Sequence, residues 1–171
     1  VGMHFFNPVP VMALVEIIRG LRTSDATVDA VADLARRLGK TPIGVKNSAG
    51  FVVNRILCPM INEAVFALQE GLASAEEIDA GMKLGCNHPM GPLALADLVG
   101  LDVVWAILDS LHREFGQSHH KPCLEITKRV EIEVRKYIEQ LAAKADQANA
   151  KPAQPAKTLT AKKQTPSKKD I

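Results

Sequence analysis

The sequence predicts a mainly α-helical chain that opens with the last strands and helix of a doubly wound α/β domain. Two observations carry this. Residues 1–47 run as two short apolar segments, a helical segment and a further apolar pair, the order strand, strand, helix, strand. From Ser48 onward the apolar residues recur at helical spacing through successive segments bounded by capping residues, prolines or glycines.

The first two runs, Val1–Phe6 and Met12–Ile18, are separated by Asn7-Pro8-Val9-Pro10-Val11. Its prolines interrupt any helix, so two strands around a turn is the simplest reading. Thr23 or Ser24 can cap a helix that places Val28, Val31, Leu34, Ala35 and Leu38 on one side and closes at Arg36, Arg37 and Gly39. Ile43 and Val45 then suggest another strand. Phe51, Val52, Leu57, Met60, Ile61, Ala64, Val65 and Leu68 fit a long, largely buried helix stopping at Gly71. Ser74 and Glu77 have capping-box spacing at the start of a second helix ending near Gly85. Pro92 opens a short third helix, and Asp102 can cap a fourth that carries Val103, Val104, Trp105, Ile107, Leu108 and Leu111 up to Gly116. Ile126, Val130, Val134, Ile138, Leu141 and Ala145 form a near-heptad stripe over 126–149, suited to a partner helix or to the chain's own surface. Residues 150–171 lack bulky apolar side chains and are expected to be a disordered basic tail. The expected divisions are 1–47, 48–125, 126–149 and 150–171.

With 171 residues, 47% of them hydrophobic, the chain can bury a real core. Its net charge of +2 hides a split. Residues 1–140 carry 14 Lys+Arg against 17 Asp+Glu, whereas 141–171 carry seven Lys against two Asp. A mildly acidic body with one Trp and one Tyr lacks the basic stripe and stacking aromatics of a nucleic-acid binder. Cys58, Cys86 and Cys123 are odd in number and widely spaced, which reads as reduced thiols in a cytoplasmic protein. No apolar run reaches the length of a membrane span, and Val1 opens directly in a strand, as expected of a fragment. Neither His119, His120 and Cys123 nor Cys86 with His88 supplies four ligands at structural-zinc spacing, so no metal is expected.

His4 and Glu16 stand on opposite sides of the turn, each six residues from Pro10. A symmetric hairpin would set them opposite one another with Cβ atoms about 5 Å apart, letting the carboxylate hydrogen-bond one imidazole nitrogen. Glu16 would then fix the tautomer of His4 and leave the other ring nitrogen to exchange a proton with a substrate hydroxyl. From spacing alone, a structural His at a strand end and a surface Glu remain the alternative.

The stretch Gly2-Met3-His4-Phe5-Phe6-Asn7-Pro8-Val9-Pro10-Val11-Met12, followed by Leu14-Val15-Glu16-Ile17-Ile18, closely resembles the active-site segment of L-3-hydroxyacyl-CoA and 3-hydroxybutyryl-CoA dehydrogenases. The resemblance continues through Leu38-Gly39-Lys40, Gly50-Phe51-Val52-Val53-Asn54-Arg55, Met82-Lys83-Leu84-Gly85, Pro89-Met90-Gly91-Pro92 and Asp97-Leu98-Val99-Gly100-Leu101-Asp102. It implies that residues 1–47 are the terminal part of a Rossmann-type dinucleotide-binding domain and 48–125 a helical substrate and dimerisation domain. It further implies NAD-dependent oxidation of a short-chain L-3-hydroxyacyl-CoA to the 3-oxoacyl-CoA by a homodimer. His4 matches the family's base, Glu16 its acidic partner and Asn54 its substrate-contacting asparagine; Asn7 is carried over to the cofactor side. From spacing alone Asn54 also reads as a polar helix-start residue facing solvent.

The chain departs from the family in two places. The pyrophosphate of a dinucleotide needs a Gly-rich turn, yet no two of the eleven glycines stand as Gly-x-Gly. After Gly116 the resemblance implies a glycine-rich, aromatic-bearing end, where this chain has a charged helical stretch. A truncated, catalytically inactive helical dimerisation module of the same family is therefore the second expectation.

Overall fold

The computed structural model describes residues 1–132 together with 139–140 and 143. The chain divides into two units, Val1–Glu133 and Val134–Ile171. The first is described below; in the second, residues 139, 140 and 143 are helical. Most of the helix expected over 126–149 and all of the tail expected over 150–171 lie outside the described residues.

Three strands, β1 (Gly2–Phe5), β2 (Leu14–Arg19) and β3 (Thr41–Lys46), form one sheet in the order β1-β2-β3. β1 and β2 are antiparallel, and the turn between them closes as the Val11 and Met12 N–H groups donate to Pro8 O at 3.0 Å. β3 runs parallel to β2, so helix α1 (Asp25–Arg37) is its crossover. Of the two expected caps, Ser24 takes the role, its Oγ accepting from Thr27 N at 3.2 Å, while Thr23 Oγ1 accepts from Gly20 N. Because side chains alternate along a strand, Val15 and Ile17 face α1 and pack on Ala35, with Met3, Phe5, Val28 and Val31 around them. Glu16 and His4 consequently stand on the other face of the sheet.

The rest is helical, with α2 (Val53–Gln69), α3 (Ala75–Gly85), α4 (Pro92–Val99), α5 (Leu101–Phe115), a 3-10 turn at Ser118–His120 and a further helix over 124–132. Cys58, Ile61 and Val65 of α2 meet Ala96, Val104, Leu108, Cys123 and Ile126 in one core. Truncating a side chain such as Leu108 typically costs about 2–5 kcal/mol. Asn62 pins the returning chain to α2, its Nδ2 donating to Lys121 O at 2.9 Å and its Oδ1 accepting from Cys123 N at 2.8 Å. No helix among the described residues is long and apolar enough to cross a membrane.

Two helix starts differ from expectation. α2 begins at Val53 rather than at Phe51, because Gly50 and Phe51 adopt positive φ of 71° and 47° and break the helical path. α5 is not capped by Asp102. A single residue, Gly100 with φ 96°, joins α4 to α5 and is the N-cap, which puts Asp102 inside the first turn, where its charge faces the helix dipole without a capping bond. The capping box of α3 is as expected: Glu77 Oε2 accepts from Ser74 N at 2.9 Å, and the Ser74 backbone and hydroxyl together hold the Glu77 carboxyl below its ordinary range. α4 is capped from a distance, with Asp79 of α3 accepting from Leu93 N and Ala94 N at 2.8 and 2.9 Å.

His120 is buried and its Nδ1 finds no hydrogen-bond partner among the described residues. Burial, then the neighbouring His119, Arg55 and His112, push its pKa below the ordinary 6.5. The unfolded chain therefore binds the proton more readily. This contribution to stability is complete above pH 6.5 and is lost as pH falls from there through the folded-state value. A melting series from about pH 8 to about pH 5 should show Tm falling on the acid side, and His120→Phe should flatten that limb. An acid limb of the same slope in the variant would remove His120 as its source.

Candidate active site

The register of the first hairpin pairs His4 with Glu16 directly, as the symmetry about Pro10 requires. Their side chains meet: His4 Nδ1 lies 2.7 Å from Glu16 Oε2. Glu16 is fully buried, whereas the His4 side chain keeps 29% of its surface exposed. A buried carboxylate must have its lone pairs satisfied, and Glu16 has three partners. Beyond His4, its Oε1 accepts from Val52 N at 2.9 Å and Val53 N at 3.1 Å.

Those two N–H groups belong to the start of α2, which has no side-chain cap of its own. Glu16 supplies that cap from the sheet, and the positive end of the helix favours an anion there. The turn before it makes the approach possible. Gly50 adopts its positive φ where a Cβ would lie 2.9 Å from Leu111 Cδ2 and 3.0 Å from Arg55 N. Phe51 holds a left-handed conformation that costs a bulky residue about 1–2 kcal/mol. With Glu16 accepting on both oxygens, hydrogen-bond logic assigns the ring proton to Nδ1 and leaves Nε2 of His4 as an acceptor.

His4 lines a cleft of about 380 Å³ with Val1, Gly2, Met3, Ile18, Gly20, Asn47 and Phe51. Asn54, in the first turn of α2, does not line it. It opens instead on a neighbouring cleft of about 420 Å³ between α2 and α5, together with Asp102 and Ser110. Asn7 is exposed in the turn and lines neither cleft. Two aromatic rings touch the imidazole, Phe6 at 4.7 Å and Phe51 at 5.3 Å between centroids. The sequence reading did not assign Gly50 or Phe51 to the site. Their signal was a helix opening on valines with no capping residue, which implies an acceptor from elsewhere. Among the described residues no group of His, Cys, Asp and Glu is arranged to hold a metal ion.

Residues 50–140 match the family model described as 3-hydroxyacyl-CoA dehydrogenase, C-terminal domain, and residues 1–48 match that family's NAD binding domain. The 3-hydroxybutyryl-CoA dehydrogenase of Clostridioides difficile is 61% identical over 120 residues, 70% of this chain and 43% of that protein. The probable 3-hydroxybutyryl-CoA dehydrogenase of Bacillus subtilis is 55% identical over 130 residues, 76% of this chain and 45% of that protein. Among solved structures, the (S)-3-hydroxybutyryl-CoA dehydrogenase of Ralstonia eutropha superposes with a TM-score of 0.75 at 64% identity, over 77% of this chain and 47% of that one. The chain thus spans a little under half the length of these relatives. With both family models matched and the superposition in agreement, the chain belongs to the 3-hydroxyacyl-CoA dehydrogenase family.

Proposed function

We propose that this chain supplies the proton-transfer machinery of an NAD-dependent 3-hydroxyacyl-CoA dehydrogenase acting on a short-chain substrate of the 3-hydroxybutyryl-CoA type. The observation that carries the reading is the buried Glu16 carboxylate held on Nδ1 of His4, a residue that lines a cleft, which leaves Nε2 free to act as a base. His4 Nε2 takes the proton of the 3-hydroxyl as the C3–O bond becomes a carbonyl, and Glu16 stabilises the imidazolium formed. In the reverse direction His4 returns the proton to the oxygen. Asn54, on the first turn of α2, is the donor assigned to that oxygen as negative charge gathers on it. Asn7 is assigned to the cofactor side.

NAD, when bound, supplies the two-electron acceptor. The residues present do not fit the whole dinucleotide, since no Gly-x-Gly turn is available to cradle a pyrophosphate. The proton transfer is what these residues perform. Division of labour follows the expected boundaries, 1–47 closing a dinucleotide domain and 48–125 forming the substrate and dimerisation domain. Exposed Val52 and Ile56 at the start of α2 and Val103 on α5 supply apolar surface for a second copy of the chain.

The test is NADH oxidation with acetoacetyl-CoA by a hybrid in which a relative's nucleotide-binding portion precedes Val1. Turnover supports the reading, and a folded hybrid that binds NADH yet never reduces the substrate refutes it. A second reading is an inactive helical dimerisation module. Turnover by the hybrid separates the two, because an inactive module would give none.

A further inference from the structure

We propose that Phe51 is a positioning residue for His4, its ring setting the plane of the imidazole that Glu16 holds by one nitrogen. The proposal rests on His4 being the base, as proposed above. Bonded to the chain at Cγ and hydrogen-bonded at Nδ1, the imidazole can still tilt about the line joining those two atoms, and Phe6 and Phe51 are the rings that touch it. Proton transfer is sensitive to such tilt, because Nε2 must meet the substrate oxygen along its lone pair.

Three independent observations converge on Phe51. Its ring lies 5.3 Å from the imidazole, inclined at 54°. Its backbone sits at φ 47°, a conformation a glycine would take without penalty, yet the chain carries a bulky aromatic side chain there. Strain of this kind persists only where the surroundings demand the residue, and here the ring is what the position delivers. Finally, Phe51 is the residue shared by the His4 cleft and the Asn54 cleft. It therefore borders both the space in front of the base and the space in front of the proposed oxygen donor. The same residue also links the two side chains through the backbone, because Val52 and Val53, directly after it, are the donors that hold Glu16.

Phe51→Leu keeps an apolar side chain beside the imidazole but removes the flat face. In the hybrid enzyme kcat should fall by about 10² while KM for acetoacetyl-CoA stays within about twofold, the pattern of misplaced chemistry rather than lost binding. Phe51→Tyr, which keeps the ring, should recover most of that loss. In the 171-residue chain itself, NMR should report one fixed orientation of the His4 ring against Phe6 in the wild type and an averaged orientation in Phe51→Leu, with the Nδ1-protonated tautomer that Glu16 sets kept in both. Unchanged kcat with an unchanged ring orientation in Phe51→Leu would overturn the proposal, as would a rise in KM alone. If Phe51→Leu loses its fold, judged by emission of the single Trp105, Phe51→Met is measured in its place. Unfolding of both would assign the ring to stability and also overturn the proposal. A His4→Gln control separates the two levels: retained turnover there sinks the base assignment itself, while the ring-orientation measurement still decides whether Phe51 holds the ring.

Discussion

Glu16→Gln is expected to keep the fold and lose turnover, whereas Glu16→Ala is expected to lose both. The carboxylate has two jobs that chemistry can separate. Oε1 receives the Val52 and Val53 N–H groups at the start of α2, and a glutamine carbonyl oxygen receives them as well. Oε2 faces His4 Nδ1, where a glutamine would present an NH2 group instead. Two donors cannot share that contact, so the ring proton moves to Nε2 and the base loses its free lone pair. The expected cost in turnover is about 10²–10⁴, the range over which a general base contributes, and His4→Gln should show a loss of the same order. Alanine removes the acceptor altogether. Part-buried donors left unsatisfied cost about 1–3 kcal/mol each, so losing the acceptor of the Val52 and Val53 N–H groups should lower the stability of Glu16→Ala by about 2–6 kcal/mol. Melting curves on the chain, with NADH oxidation by the hybrid, check both halves. Equal stability of the two Glu16 variants would show that the carboxylate does not hold the helix.

How far the site could be read beforehand depends on how local its causes are. His4 and Glu16 were legible because two prolines mark the turn and a symmetric hairpin has one register, which the pairing of His4 with Glu16 bears out. The starts of α3 and α4 were legible too, from Ser74 with Glu77 and from Pro92, since those signals lie within the first turn they specify. The start of α2 was not. Its acceptor, Glu16, is 36 residues upstream of Val52, and no periodicity or spacing encodes a contact across that distance. Asp102 misled because it is a good capping residue, whereas the chain reverses on Gly100 with no room for another residue. The separation of Asn54 from the His4 cleft is a matter of which way two elements face after packing, which helical spacing does not report.

Gly50→Ala is expected to damage stability and turnover together, and Gly39→Ala supplies its measure. Both glycines adopt nearly the same left-handed φ, 71° at Gly50 and 72° at Gly39. An alanine there carries the same backbone penalty at either position, about 1–2 kcal/mol. The surroundings differ. Around Gly39 nothing lies within 4 Å of an added Cβ, so its variant should lose only the backbone term. At Gly50 the same atom would stand 2.9 Å from Leu111 Cδ2, 3.0 Å from Arg55 N and 3.2 Å from Arg55 Cα. Leu111 can swing aside, but the Arg55 backbone belongs to the first turn of α2 and moves only with the helix. Overpacking of this kind adds about 1–3 kcal/mol, which places the total loss for Gly50→Ala at about 2–5 kcal/mol. Moving that turn also carries Phe51 away from His4 and draws the Val52 and Val53 donors off Glu16. Turnover should therefore fall in Gly50→Ala even at temperatures where the variant is fully folded, while Gly39→Ala keeps wild-type turnover. Thermal melts and NADH oxidation on the two variants decide the matter: equal losses of Tm would mean that the close approach at Gly50 is relieved elsewhere, and that the start of α2 does not govern the placement of the base.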